Sequence, residues 1–349
     1  MHKAKKRDHM RLLIYITAVS GVIFAILLVL ILGVYKYNSN NRAILAAEKI
    51  IPFPAVYIQG SGAVSMNEVK ADDMAVRKFY ESPDFEKLGM RVDFSTDQGQ
   101  KRSKVKEKEI LNKLIENNII ESLAKKKGIN ISDAIVDQEV DSNIQQFGNR
   151  QNLMSELARL YGWTLDDFKQ KVVKPELYSE KLTEAFASET DTSAQEAKIK
   201  SLYDRVTAKK EDFAKVAKES SEGQSAENSG DLGWSTKDQL VTEIADKAFS
   251  MNPGEISQVI SSPLGFHIIK LEEKKSDNGQ DLVHLRQIFV KIPTFADWLK
   301  GEMKKYNVRV FLRDYQWNSD TAQVEFKNPD LKKFEENLDI NSQGDPSIF

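Results

Sequence analysis

Residues 12–34, LLIYITAVSGVIFAILLVLILGV, run for 23 residues without a charged side chain. At about 1.5 Å of rise per residue, a helix of that length spans a hydrocarbon core of about 30 Å. Before it stand Lys3, Lys5, Lys6, Arg7 and Arg11 against a single acid, Asp8. The positive-inside bias therefore predicts a cytoplasmic basic tail over 1–11, a transmembrane helix over 12–34 and everything after Tyr35 outside the cytoplasm. Tyr35 and Tyr37 suit the far interface. A cleaved signal peptide is the other reading. Its apolar region would be about 7–15 residues long and end in small-x-small before the cut. This run is longer and ends in Leu, Gly and Val, which favours an uncleaved anchor.

The chain has 349 residues, enough for two or three small domains with cores of their own. Hydrophobic residues make up 41% and charged residues 29%, which excludes wholesale disorder. The absence of Cys excludes disulfides, Cys-ligated zinc and a thiol nucleophile. A net charge of -2 argues against nucleic acid as a partner, and the glycines never fall into phosphate-loop spacing. Outside the N-terminal tail only His267 and His284 are present, so neither a His-rich metal site nor a Ser–His–Asp triad is expected. No cofactor and no metal follow from these counts.

Residues 35–54 read as a linker, helical around Ile44–Ile50 and ended by Pro52 and Pro54. Ala55–Ile58 reads as a strand, Val69–Tyr80 as a helix and 93–103 as a polar loop. Ile110, Leu111, Leu114, Ile115, Ile119, Ile120 and Leu123 share one helical face. Gly128 stops that helix. Ser132 caps the next, with Val136, Val140, Ile144 and Phe147 inward. A third helix covers Leu153–Tyr161, and Thr164-Leu-Asp-Asp167 opens a fourth with Leu165, Phe168 and Val172 inward. After a small-residue linker over 187–196, one helix is expected over 195–219 and another over 237–249. Strands are expected at 256–261, 266–271 and 282–292, with a hairpin turn at Asn278-Gly279. A helix over 294–305 and a strand over 308–312 follow, and 317–349 reads as a polar, unfolded tail.

GDLGW (230–234), KDQL (237–240), PGEIS (253–257) and GFHIIKLEE (265–273) resemble a parvulin-type peptidyl-prolyl isomerase, in the family's order and spacing over about 209–273. The segments 104–129 and 162–182 resemble the helical chaperone domain of SurA- and PrsA-like foldases. The resemblance implies an α+β chain: a helical chaperone domain over 55–188 completed by 294–316, and a parvulin-like domain of antiparallel sheet and helices over 195–293. Two departures stand out. The strand that normally opens the parvulin fold is missing after the linker, and a matching strand, Val283–Lys291, comes later. That order implies a circular permutation, with a truncated second repeat as the alternative. The family's His in that strand aligns with Gln287. His284 is nearby, but alternation puts it on the opposite face.

Rotating an X–Pro bond crosses an amide barrier of about 18–20 kcal/mol without a covalent intermediate. The chemistry asks for an apolar cup for the proline ring and polar groups around a desolvated amide. By the resemblance, the cup is Leu232, Leu240 and Ile244, with 240 and 244 on one helical face. The polar set is His267, Gln287 and Glu222, with Ser262 near the strand turn. Each has a plainer reading: the three apolar residues as core, His267 as a sheet-holding histidine, Glu222 as a solvated loop acid. Gln287 can keep a hydrogen bond but cannot titrate. The resemblance implies a membrane-anchored, extracytoplasmic isomerase and chaperone acting on unfolded exported chains with X–Pro bonds. The alternatives are a holdase with a catalytically weak isomerase-like module and a tethered scaffold for a membrane complex.

Overall fold

The computed structural model describes residues 20, 22, 24–36, 41–87, 91–144, 148–277 and 279–341. The basic tail, residues 12–19 of the apolar run, Gly21, Ile23, Tyr37, Phe147 and Asn278 lie outside the described residues. Among the described residues no helix is long and apolar enough to cross a membrane. Residues 24–31 are helical and mostly exposed, and the run passes into a π turn at Leu32–Lys36. The chain divides into two compact units, Met1–Thr183 with Lys300–Phe349, and Glu184–Leu299. Both mix helices with antiparallel sheet.

In the first unit, Asn41 caps α1 (Arg42–Ile50) by accepting the Ala43 N–H. Tyr35 and α1 are structured parts of the expected linker: the Tyr35 hydroxyl donates to the Pro54 carbonyl at 2.9 Å. β1 (Pro54–Ile58) turns back as β2 (Gly62–Ser65), a strand too short to show in the sequence. Ser65 then caps α2 (Met66–Tyr80) in a reciprocal box with Glu68, which starts the helix three residues earlier than Val69. A short α3 (Pro83–Lys87) leads to α4 (Asp97–Lys126).

α4 corrects the expected loop over 93–103. Thr96 accepts the Gly99 N–H at 3.0 Å and nucleates the helix within polar sequence. Gly99 is needed there because a Cβ would sit 1.9 Å from the Asp93 carbonyl oxygen. Further along, Ile110, Leu111, Ile115, Ile119 and Ile120 are buried on one face.

α5 (Asp133–Asn143) is capped by Ser132 and buries Val136 and Val140. α6 (Arg150–Leu160) follows, then α7 (Leu165–Phe168), opened by the Thr164–Asp167 capping box. A π turn at Lys169–Val173 joins α7 to α8 (Lys174–Glu189). A π turn inserts a residue and rotates the phase. Val173, Leu177 and Leu182 are therefore the buried positions, and Leu165, Phe168 and Val172 are only half-buried.

In the second unit the expected helix over 195–219 is two, α9 (Ser193–Thr207) and α10 (Phe213–Ser220). Lys210 breaks it in the left-handed region at φ 56°, and Asp212 restarts it by accepting the Lys215 N–H. β3 (Asp231–Ser235) precedes a 3-10 turn at Lys237–Gln239 and α11 (Thr242–Ser250). Leu240 lies between the two with extended backbone, so it does not share a helical face with Ile244 as expected. β4 (Ile260–Ser262) is shorter than expected, and Ile256 makes only an isolated bridge to Lys270. β5 (Gly265–Asp277) and β6 (Gln280–Lys291) pair along their length up to Asp277↔Gln280.

The sheet runs β3-β6-β5-β4, all antiparallel. One face, with Ile268, Ile288 and Val290, packs on α9 and α10 through Ile199, Leu202, Phe213 and Val216. The other, with Ile269, Leu271, Val283 and Leu285, packs on α11 through Ile244, Ala248 and Met251. Buried aliphatics on both faces, each contributing about 1.5–3 kcal/mol, make β5 and β6 the unit's core.

α12 (Phe295–Met303) leads to β7 (Val308–Val310), which pairs with β1 and completes the first unit's sheet in the order β2-β1-β7. The expected unfolded tail is corrected. β8 (Tyr315–Asn318) and β9 (Gln323–Phe326) form a hairpin, followed by α13 (Pro329–Asn341). Tyr315, Val324 and Phe326 are fully buried. The Val324 N–H donates to Asn112 on α4, and the Tyr315 hydroxyl donates to Glu107 at 2.6 Å.

Candidate active site

His267 sits on β5, two residues before Ile269, and so projects onto the α11 face of the sheet. Gln287 lies opposite Ile269 on β6, and Phe289 lies opposite His267. Ile260 on β4 faces His267 from the other side, with Ser262 two residues on. Strand register alone thus brings His267, Gln287 and Ser262 onto one surface. His267 Nδ1 is 3.1 Å from Gln287 Oε1, and Nε2 is 2.7 Å from Ser262 Oγ. The Phe289 ring, which the sequence reading missed, stacks on the imidazole at 4.7 Å and 26°. Its signal was available: Phe289 is two residues from Gln287 on one strand.

The hydrogen-bond network assigns the proton. The Gln287 carbonyl oxygen can only accept, so the Nδ1–H donates to it. Nε2 then accepts the Ser262 hydroxyl proton, and Ser262 Oγ in turn accepts the Leu264 N–H at 3.1 Å. His267 is only 3% exposed. Burial lowers its pKa; the Gln287 hydrogen bond and the charge of Glu243 oppose this without reversing it. The ring is neutral at pH 7. With the Gln287 oxygen held by histidine, its amide nitrogen lies beside Gly223 and has no protein partner among the described residues. The site presents an open N–H donor, held in orientation from behind.

Leu232, Leu240 and Ile244 fall in a single apolar cluster with Ile260, Leu271 and Leu285. Ile244 is buried, whereas Leu232 and Leu240 are half-buried and keep accessible apolar surface. Gly230 adjusts the approach of β3. It has φ 80°, and a Cβ there would lie 2.5 Å from the Gln287 carbonyl oxygen. Its own carbonyl accepts the Gln287 N–H at 2.8 Å.

Glu222 stands at the rim. Its backbone N–H donates to Phe289 O, but its carboxylate holds Lys198 at 2.5 Å and the Lys291 N–H at 2.7 Å. Burial pushes that carboxyl up, and the hydrogen bonds from Lys198 and Lys291 outweigh it, leaving the pKa lowered. Glu222 is an ionised acid engaged by the Lys198 cation and the Lys291 backbone N–H, and is not hydrogen-bonded to His267 or Gln287. His284 is on the reverse face, 2.8 Å from Asp231 and beside Trp234, as the alternation predicts.

The first unit has a cleft of its own. Ile110, Leu114, Trp163, Val172, Pro175 and Tyr178 wall it, and Asp72 and Lys171 pair at 2.5 Å in its lining. Burial raises the Asp72 carboxyl despite that lysine. No group of His and acids able to hold a metal ion occurs among the described residues.

Residues 178–273 match the family of the rotamase, or PPIC-type PPIASE, domain. Over 109 residues the chain is 38% identical to the chaperone SurA of Pseudomonas syringae pv. tomato, covering 30% of this chain and 25% of that protein. It is 26% identical over 269 residues to the foldase protein PrsA of Clostridium tetani, covering 66% of this chain and 73% of that one. A crystal structure of a peptidylprolyl isomerase, PrsA from Bacillus anthracis, aligns at 20% identity and TM-score 0.20, over 68% of this chain and all of that one. The chain thus spans about a quarter of the SurA it matches and about three quarters of the clostridial PrsA.

Proposed function

We propose that this chain, which carries a parvulin-type PPIase domain and is related to the SurA and PrsA foldases, is a membrane-anchored extracytoplasmic foldase that isomerises X–Pro bonds and chaperones unfolded exported chains. One observation carries the reading: the open Gln287 amide, fixed by neutral His267, beside the accessible apolar surface of Leu232 and Leu240. The proline ring rests on that surface and loses water. As the amide twists and loses resonance, its carbonyl oxygen gains basicity at a position where the Gln287 N–H can donate. The bond is strongest in the twisted state, which is the condition for catalysis by differential binding. No group on the protein needs to change protonation, so a glutamine can take a place that the family gives to histidine.

The anchor is supported by the 23-residue apolar run and its basic flank, and it orients both folded units outside the cytoplasm. A circular permutation is supported by a mismatch of extents. The family match stops at 273, whereas β6, which bears Gln287 and lies between β3 and β5, comes after it. In an antiparallel pair either strand can come first, because a tight hairpin joins them without altering the sheet. The cleft of the first unit favours a chaperone role beside catalysis, since its apolar walls suit a client segment not yet folded.

The test is a proline-limited refolding assay. Uncatalysed exchange takes about 10–100 s at 25 °C, so modest catalysis is measurable. The residues after Tyr35 should accelerate it. Gln287→Leu should lower kcat/KM about five- to tenfold, the worth of one hydrogen bond of about 1–1.5 kcal/mol, and Gln287→His should keep or raise it. No catalysis by the unsubstituted protein or Gln287→His, with client aggregation still suppressed, would leave the holdase reading.

A further inference from the structure

We infer that the outward face of the β2-β1-β7 sheet is a bilayer-contact surface, on which Phe311 and Tyr57 enter the headgroup layer and Arg309 meets anionic lipid phosphates. The inference rests on the anchoring reading above and goes beyond it by assigning a lipid-facing surface to a folded unit.

Gly33 and Val34 are buried against the first unit, and a Cβ on Gly33 would lie 2.3 Å from the Ile44 side chain. Tyr35 is the residue after the run. Its hydroxyl is bonded to Pro54 O, and its ring lies 6.3 Å from both Phe53 and Phe311. The run therefore hands over directly to packed structure. The headgroup layer is about 5–8 Å deep on each side, half the difference between the whole bilayer and its hydrocarbon core. With the Tyr35 ring at the interface, the Phe311 ring that it touches reaches the same layer.

The face itself has the matching chemistry. Tyr57 pairs with Arg309, and Phe311 lies two residues further along the same side. Phe311 is 45% and Tyr57 46% exposed. Aromatic rings with exposed cations beside them are the composition that favours a membrane–water interface. Arg309 is exposed between the two rings.

The chain has no cysteine, so single cysteines can report depth in the full-length protein. Phe311→Cys, Tyr57→Cys and, as reference, Met154→Cys on α6 would each carry a bimane label. The proteins would be reconstituted in phosphatidylglycerol–phosphatidylcholine vesicles containing a headgroup-region nitroxide lipid. Circular dichroism confirms the fold of each variant. The expected result is severalfold stronger quenching at 311 and 57 than at 154, reduced by Arg309→Glu. Equal quenching at all three positions, in protein that resists carbonate extraction, overturns the surface while leaving the anchor intact. Extraction by carbonate overturns the anchor and the surface together. Shielding at 311 that persists in detergent and grows with protein concentration indicates a second copy as the occupant and also overturns the surface.

Discussion

His267 is held neutral by its surroundings, and that has a measurable cost in acid. Burial lowers its pKa in the folded state, so the unfolded chain, with an ordinary histidine near 6.5, binds a proton that the folded chain refuses. The stability contributed by the neutral ring is present above about pH 6.5 and is lost as pH falls towards the lowered folded value. The expected outcome is a melting temperature of the second unit that falls as the pH is lowered below about 6.5. The slope should be no steeper than about 1.4 kcal/mol per pH unit, the limit for one proton. His267→Gln should flatten that slope whatever its effect on stability at pH 7. An unchanged slope in the variant would assign the proton elsewhere. Activity should fall only at lower pH, below the folded value, where a protonated Nε2 can no longer accept the Ser262 hydroxyl.

At the scale of elements, the site was legible where it depends on strand alternation and obscure where backbone geometry departs from regular periods. Positions 267 and 287 could be put together from two paired strands, and they lie 3.1 Å apart through Nδ1 and Oε1. The three residues expected to form the cup do share one apolar cluster, but not with the expected geometry. Leu240 reaches the cluster from the extended residue after a 3-10 turn, not from the helix of Ile244, because Thr236 caps that turn and α11 starts anew at Thr242. A π turn moved the buried stripe by one residue, and a left-handed Lys210 split a helix; neither leaves a hydrophobic signature. Leu240→Ala should therefore raise KM severalfold while lowering stability by less than the 2–5 kcal/mol of a buried leucine, because Leu240 is only half-buried. Gly230→Ala should behave in the opposite way. Its φ of 80° and the 2.5 Å approach to the Gln287 carbonyl predict a loss of at least about 1–2 kcal/mol and a displaced β3. Chemical denaturation beside refolding kinetics separates the two effects.

At the scale of the whole molecule, connectivity decides what can be removed. The second unit is continuous in sequence from Glu184 to Leu299, and β6 lies at the centre of its sheet. A fragment of 184–299 should melt cooperatively. One ending at 277 should not, since it leaves β5 and β3 without the strand between them and strips Val283, Leu285, Ile288 and Val290 from both cores. The first unit is discontinuous, and its closure by the C-terminal segment was the largest misreading of the sequence. Polar composition after 316 concealed a hairpin whose inward residues are few but wholly buried. The alternation was present in Val324-Glu325-Phe326, yet three residues are too short a period to outweigh their surroundings. The structural consequence is specific. Phe326 and Val324 lie in the first unit's core, and Val324 bonds to Asn112 on α4. Ending the chain at 312 should lower the melting temperature of the first unit while leaving that of 184–299 unchanged. Phe326→Ala should reproduce most of the loss, about 3–5 kcal/mol. Two calorimetric transitions, of which only one moves, are the expected record; an unmoved pair would return the segment to the status of a dispensable tail.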